Sequence, residues 1–295
     1  MEKKLLFIYN PRAGKTGYTS HLTEIFRVFI DAGYRVEVFP TGERGDGREY
    51  ARGIGDDFDL VVAAGGDGTL NEIVGGLRES HPDLPIGYLP VGSTNDFASS
   101  LGIPLNPVQA AKNILSKHLA RVDLGRFGSD YFVYVAAFGL FTNVAYETDQ
   151  TLKNLFGHAA YLISGVKSLG ELRTYRMTIR ANGETKTDDY ILGMITNSIS
   201  VGGFKNITGH NVALSDGLFE VTLVKAPKNG LADLSDAAAA LIAGNENIPL
   251  LEVFKTDRIE IAGEDNVPWT LDGEFGGNHQ NVVIENLQYG LQLYC

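Results

Sequence analysis

Apolar residues follow two rhythms along this chain, and the change between them falls near residue 125. In the first part, short apolar runs at 5–9, 34–38, 60–64 and 86–89 alternate with stretches at helical spacing. Leu22, Ile25, Phe26, Phe29 and Ile30 share one helical face that stops at Gly33. Residues 44–55 read as a short helix, Leu70, Ile73, Val74 and Leu77 mark another, and 106–117 a further one before a strand over 120–127. A short unbroken apolar run bounded by acidic residues and glycines, such as 60–64, is how a strand buried on both faces reads. Strand and helix in alternation predict a doubly wound, Rossmann-like parallel sheet.

From residue 127 onward the period shortens to two. Strands are expected at 131–137, 175–181, 190–196, 218–224, 259–262, 268–272 and 281–286, with one helix at 230–243 and a short last piece at 289–294. Many short strands separated by turn residues predict an antiparallel β-sandwich. The expected division is therefore an α/β domain at 1–125 and an all-β domain at 126–286. Leu152, Leu155, Phe156, Ala159, Leu162, Ile163, Val166 and Leu169 form one apolar face of a helix at 151–172, with Lys153, His158 and Lys167 off that face. Such a helix either packs on the sandwich or lies at the mouth of a lipid site, its cations toward anionic headgroups.

Charge and cysteine content narrow the field. The net charge is −11, and it is uneven: 13 basic against 16 acidic side chains up to residue 123, and 12 against 20 beyond it. An acidic chain is not built for nucleic acid as its main partner. The one cysteine, Cys295, allows no internal disulfide, which suits a reducing compartment. The apolar run at 5–9 is too short for a signal peptide, and the longest one, 131–141, is far short of a membrane span. These features together lead us to expect a cytoplasmic protein.

The chemistry concentrates at 58–77, FDLVVAAGGDGTLNEIVGGL. A strand, a glycine turn and a helix in that order place backbone N–H groups and a helix N-terminus before an anion. Glycines let the backbone approach phosphate oxygens without a Cβ in the way. Asp67 repels phosphate unless a cation stands between them, and Mg²⁺ with its waters is the natural one. A tight strand-to-helix turn with an aspartate cap is the plain structural alternative. The loop at 10–16, NPRAGKT, ends like a Walker A loop but lacks its first glycine, because Tyr9 stands there.

GGDGTLNE at 65–72 resembles the signature of the diacylglycerol kinase catalytic family, which includes bacterial lipid kinases and the sphingosine and ceramide kinases. Its GGDG core is shared with NAD kinases and phosphofructokinases. NPRAG at 10–14 is similar to the NPxAG that opens the lipid-kinase pattern, and PVGSTNDFA at 90–98 to a second signature, with Ser93 where a threonine is usual. ALSDGLF at 213–219 resembles the xLxDGxF segment, and Asp272-Gly273-Glu274 the DGE motif. The motifs keep the family's order over the whole chain, with Gly75 as a departure where asparagine is usual.

The resemblance implies an NAD-kinase-like and diacylglycerol-kinase-like fold in which the tail 287–295 returns to the first domain. It implies an ATP- and Mg²⁺-dependent lipid kinase that converts diacylglycerol to phosphatidic acid in a cleft between the domains. Asn10, Pro11, Arg12, Ala13, Gly14, Thr41, Gly66, Asp67, Gly68, Thr69, Leu70, Asn71, Glu72 and Thr94 would hold the nucleotide. Asp67, with Asp96 and Asp123, would organise Mg²⁺ and its waters, and Glu274 would be the general base. Asp216, with the carbonyls of Ala213 and Leu218, would hold a structural Mg²⁺. The protein would meet its lipid as a peripheral protein at the inner membrane face, and homodimerisation is left open. Taken by the residues alone, Asp123 reads as a solvated strand-end carboxylate, and both Asp-Gly pairs read as hairpin turns. A kinase for phosphatidylglycerol or a sphingoid base, an NAD kinase and a catalytically silent lipid binder remain as alternatives.

Overall fold

The computed structural model describes residues 2–14, 18–116, 118–139, 173–202, 204–205, 212–243, 245 and 248–295. The expected helix at 151–172, with Lys153 and Lys167, lies outside the described residues. In the first part the apolar runs are β1 (Lys3–Tyr9), β2 (Tyr34–Pro40), β3 (Leu60–Gly65) and β4 (Ile86–Pro90). All are parallel, in the order β2-β1-β3-β4. Residues 5–8 of β1 and all of β3 are buried, which is why these strands carry no polar alternation.

The connecting helices are α1 (Leu22–Asp31), α2 (Asp46–Arg52), α3 (Asp67–Ser80), α4 (Asp96–Leu101) and α5 (Pro107–Leu115). α1 packs against α5, and α2 against α3. α5 starts sharply because Asn106 accepts the Gln109 N–H and Pro107 fills the first helical position. The chain moves from β1 out to β2 and then back across to β3. The order therefore reverses between β1 and β3, and a parallel sheet leaves its crevice at the carboxyl ends of such a pair.

Contact density divides the chain into one unit of Met1–Leu124 with Gln288–Cys295 and a second of Gly125–Leu287. β5 (Leu119–Phe127) runs through the boundary. The second unit holds β6 (Asp130–Phe132), β7 (Val135–Gly139), β8 (Tyr175–Ala181), β9 (Glu184–Thr196), β10 (Ser200–Val201), β11 (Phe204–Lys205) and β12 (Phe219–Lys225). α6 (Leu231–Ala243), β13 (Leu251–Thr256), β14 (Arg258–Leu271) and β15 (Glu274–Tyr294) complete it. The pairings among β7, β8, β9, β12, β13, β14 and the first part of β15 are antiparallel.

β7 and β8 each bridge β9 to β14, one along each half of those long strands, so the sheet closes around its core. Tyr175, Met177 and Ile179 of β8 and Phe219, Val221 and Leu223 of β12 point inward, with Phe138, Trp269 and Ile284. The other face of β12 is covered at Val224 by Leu234, Ala237 and Ala240 of α6.

Three strand readings differ from the sequence expectation. The strand expected at 131–137 is broken into β6 and β7 around Val133 and Tyr134. The runs 259–262 and 268–272 belong to one strand, β14, whose register shifts between Ala262 and Val267. Likewise 281–286 and 289–294 are both parts of β15. The last residues of β15 leave the second unit, and Leu293 and Tyr294 pair parallel with Ile86 and Gly87 of β4.

Candidate active site

The carboxyl ends of the four parallel strands are stitched side by side. The Asn10 N–H donates to Ala64 O (2.9 Å), Thr41 N–H to Tyr9 O (2.9 Å) and Val91 N–H to Gly65 O (2.9 Å). This brings the loops after β1, β2, β3 and β4 to one edge. Asn10 shapes the first: its side chain accepts the Arg12 N–H (2.9 Å), and its carbonyl accepts the Ala13 N–H (3.1 Å) and the Tyr18 hydroxyl (2.6 Å). Burial pushes the Tyr18 hydroxyl well above the usual tyrosine range, so it stays a donor. Gly14 has φ +72°, and a Cβ there would run into Val91 O. Pro11, Arg12 and Gly14 are exposed on this loop.

The other two glycine turns touch backbone to backbone. A Cβ on Gly92 would strike the Gly66 Cα. Asn95, at φ +54°, fixes the turn by accepting the Gly92 N–H and donating to its carbonyl, both at 2.9 Å. Ser93 and Thr94 are left exposed at its tip. Glycine backbone and small hydroxyl residues at close-packed turns are the kind of surface a polyphosphate requires.

Asp67 opens α3, yet it does not cap its own helix. It is 8 % exposed, and its Oδ2 accepts the Asp96 N–H (3.0 Å) at the start of α4. Oδ1 lies 3.4 Å from both the Phe97 N–H and the Tyr88 hydroxyl. The carboxylate therefore ties the β3 turn to the β4 turn. Asp96 is buried beside it.

The other residues expected at this site are placed as follows. Leu70 is buried, and its N–H donates to Gly66 O (3.1 Å). Glu72 accepts the Gly45 N–H (2.7 Å) and the Gly47 N–H (3.2 Å), which fastens α2 and the loop after Thr41 to α3. Gly68, Thr69 and Asn71 are half-buried on the first turns of α3. Asp123 is not a solvated strand-end carboxylate: it is fully buried, and its Oδ1 accepts the N–H of Tyr289 (2.9 Å), a residue at φ +55°. It pins the returning tail.

In the second unit, Asp272 and Gly273 form a two-residue hairpin between β14 and β15, both at positive φ (+51° and +84°), as a type I′ turn requires. Glu274 follows at once and is exposed. Asp272 is buried. It accepts Val133 N–H at Oδ2 (2.7 Å), and Tyr134 and Val135 N–H at Oδ1 (2.9 and 3.0 Å). Its own N–H donates to Val135 O (2.8 Å). The hairpin that presents Glu274 is thus bolted to the break between β6 and β7.

Asp216 lies on the turn before β12. Its Oδ1 accepts the Leu218 N–H (3.1 Å), and its Oδ2 lies 3.2 Å from Lys255 Nζ. The same ammonium is 2.9 Å from Glu220 Oε1. Burial pushes the Glu220 carboxyl up to about 7 against the pull of Lys255. Ala213 is exposed.

The family described as "Diacylglycerol kinase catalytic domain" matches residues 4–127, and "YegS C-terminal NAD kinase beta sandwich-like domain" matches 135–288. The chain belongs to the diacylglycerol kinase catalytic-domain family. Membership makes it an enzyme of the lipid-kinase class. The diacylglycerol kinase of Bacillus subtilis (strain 168) is 33 % identical over 278 residues, 93 % of this chain and 91 % of that one. The diacylglycerol kinase of Staphylococcus carnosus (strain TM300) is 34 % identical over 298 residues, 100 % of this chain and 95 % of that one. A crystal structure of a candidate diacylglycerol kinase from Bacillus anthracis str. Sterne superposes with TM-score 0.82 at 28 % identity, over 99 % of this chain and 95 % of that one.

For this lipid kinase, sequence reasoning missed Asp272, Asn95 and Tyr88. An asparagine three residues after a glycine is a turn signal that points to Asn95. Asp272 sat inside the quoted DGE motif, but its three bonds come from residues far away in sequence. Nothing local to β4 marks Tyr88.

Proposed function

We propose that the chain transfers the γ-phosphoryl group of ATP to the free hydroxyl of diacylglycerol, giving phosphatidic acid. The observation that carries this is the pair of interlocked glycine turns after β3 and β4, tied together by the buried Asp67 carboxylate. The backbone at 10–14, 66–69 and 92–94, with Thr41 and the hydroxyls of Thr69 and Thr94, holds the phosphates. Two neighbouring buried carboxylates fit a hydrated Mg²⁺, so Asp67 and Asp96 would hold that ion, and it would neutralise phosphate charge.

Glu274 takes the proton from the lipid hydroxyl as its oxygen attacks phosphorus and the bond to ADP breaks. Asp272 fixes the hairpin so that this carboxylate keeps one position. Asp123 acts at a distance, by holding the tail. Among the described residues no helix is long and apolar enough to cross a membrane. The enzyme reaches its lipid as a peripheral protein of the inner membrane face.

The test is ATP consumption with Mg²⁺ against diacylglycerol in mixed micelles, phosphatidylglycerol, sphingosine, ceramide and NAD, for wild type and Glu274→Gln. Turnover with diacylglycerol alone, abolished in E274Q with ATP affinity and melting unchanged, is the expected result. Full activity in E274Q removes that residue as base, and turnover only with another acceptor changes the substrate.

A further inference from the structure

The resemblance assigns Asp216 a divalent cation, with the carbonyls of Ala213 and Leu218. The surroundings of Asp216 do not fit such an ion. One carboxylate oxygen takes the Leu218 N–H, and the other faces the Lys255 ammonium at 3.2 Å. That ammonium also reaches Glu220 at 2.9 Å. Glu220 is only 3 % exposed, and it stands directly opposite Lys255 in the β12–β13 ladder. Strand register places these two residues side by side, and the ammonium lies within ion-pair distance of both carboxylates.

An ammonium is a compact charge with three donors, suited to bridging two carboxylates. A divalent ion on Asp216 Oδ2 would meet this positive charge within a few ångström. Admitting it would strip Glu220 of its partner, and a buried carboxylate without one is strongly unfavourable.

We infer that Lys255 is the resident cation of the Asp216 turn, filling the role of a structural metal in this chain. Removing the ammonium leaves the Asp216 and Glu220 carboxylates, which now share it, without a cation. The pair is then a hard-oxygen site which takes Mg²⁺ or Mn²⁺ from solution. The inference concerns the second unit and does not depend on which lipid the enzyme phosphorylates.

The experiment is thermal unfolding without nucleotide, in EDTA and in about 10 mM Mg²⁺ or Mn²⁺ at matched ionic strength. The proteins are wild type, Lys255→Met, Lys255→Arg, Asp216→Asn and the K255M/D216N double variant. Wild type and K255R should show no metal response beyond that of Asp216→Asn. K255M should melt lower in EDTA and recover by about 3 °C or more with metal near tenfold its Kd. That recovery should vanish in K255M/D216N. A metal-induced rise in wild type that D216N abolishes overturns the inference, because the metal then binds with Lys255 in place. So does a folded K255M that no metal rescues. Should K255M not fold in EDTA, the wild-type and D216N melts decide alone: a D216N-sensitive metal response refutes, and no response supports.

Discussion

Asp272→Asn isolates what the buried carboxylate does for the hairpin that presents Glu274. Asparagine has the same size and accepts the left-handed conformation that Asp272 adopts, so backbone strain is unchanged. What changes is one acceptor and the charge. The amide oxygen can keep the bonds from Tyr134 and Val135, but the amide NH₂ then faces the Val133 N–H that now donates at 2.7 Å. Losing one charge-assisted bond in a buried place costs about 2–3 kcal/mol. Turning the other two into neutral bonds costs about 0.5–1 kcal/mol each. The sum is about 3–5 kcal/mol, which lowers the melting temperature by roughly 6–20 °C for a unit of this size.

Trp269 is the one tryptophan and is buried in the core of the second unit, so its fluorescence reports the relevant transition. Glu274 follows Asp272 by two residues, and a shift of its carboxylate by about 1 Å lowers kcat by about 10- to 100-fold. E274Q is the control: it should lose kcat without losing melting temperature. If D272N melts within about 2 °C of wild type, the three bonds do not hold the hairpin. If it melts low yet keeps kcat, Glu274 does not depend on its anchor.

Two further outcomes bear on the first unit. Gly92→Ala places a methyl against the Gly66 Cα and forces the two glycine turns apart, so the affinity for ATP, read by calorimetry, should fall at least about tenfold. Glu72→Ala removes the acceptor for the Gly45 and Gly47 N–H groups, so KM for ATP should rise with kcat nearly kept, while Glu72→Gln recovers part of the loss.

Much of the first unit was legible because its signals are local. Runs such as 60–64 are continuous and bounded by glycine, and β3 ends within one residue of that run. The second unit was less so. β13 went unread because Glu252 and Lys255 interrupt its apolar character, and those charges are satisfied by ion pairs on β12. β14 read as two strands because 263–266 is a glycine followed by three polar residues, a turn signature that the structure uses as a register shift. The break at Val133 and Tyr134 was invisible, since an aspartate far along the chain imposes it. The candidate site divides the same way. Its glycine turns could be read from spacing, whereas the bonds that spend Glu72 and bury Asp123 come from chain neighbours no motif contains.

Because residues 293–294 pair with β4, the first unit is the last to be completed. On the ribosome its four strands emerge early, but Ile86 and Gly87 keep an open edge until the second unit has been made. At about 5–20 residues per second that wait lasts roughly 10–40 s. Open strand edges are where nascent chains aggregate or recruit chaperones. Synthesis interrupted inside the second unit therefore yields an edge for quality control to recognise. Competence to hold ATP should arrive only after the last strand has been translated, together with the hairpin that carries Glu274.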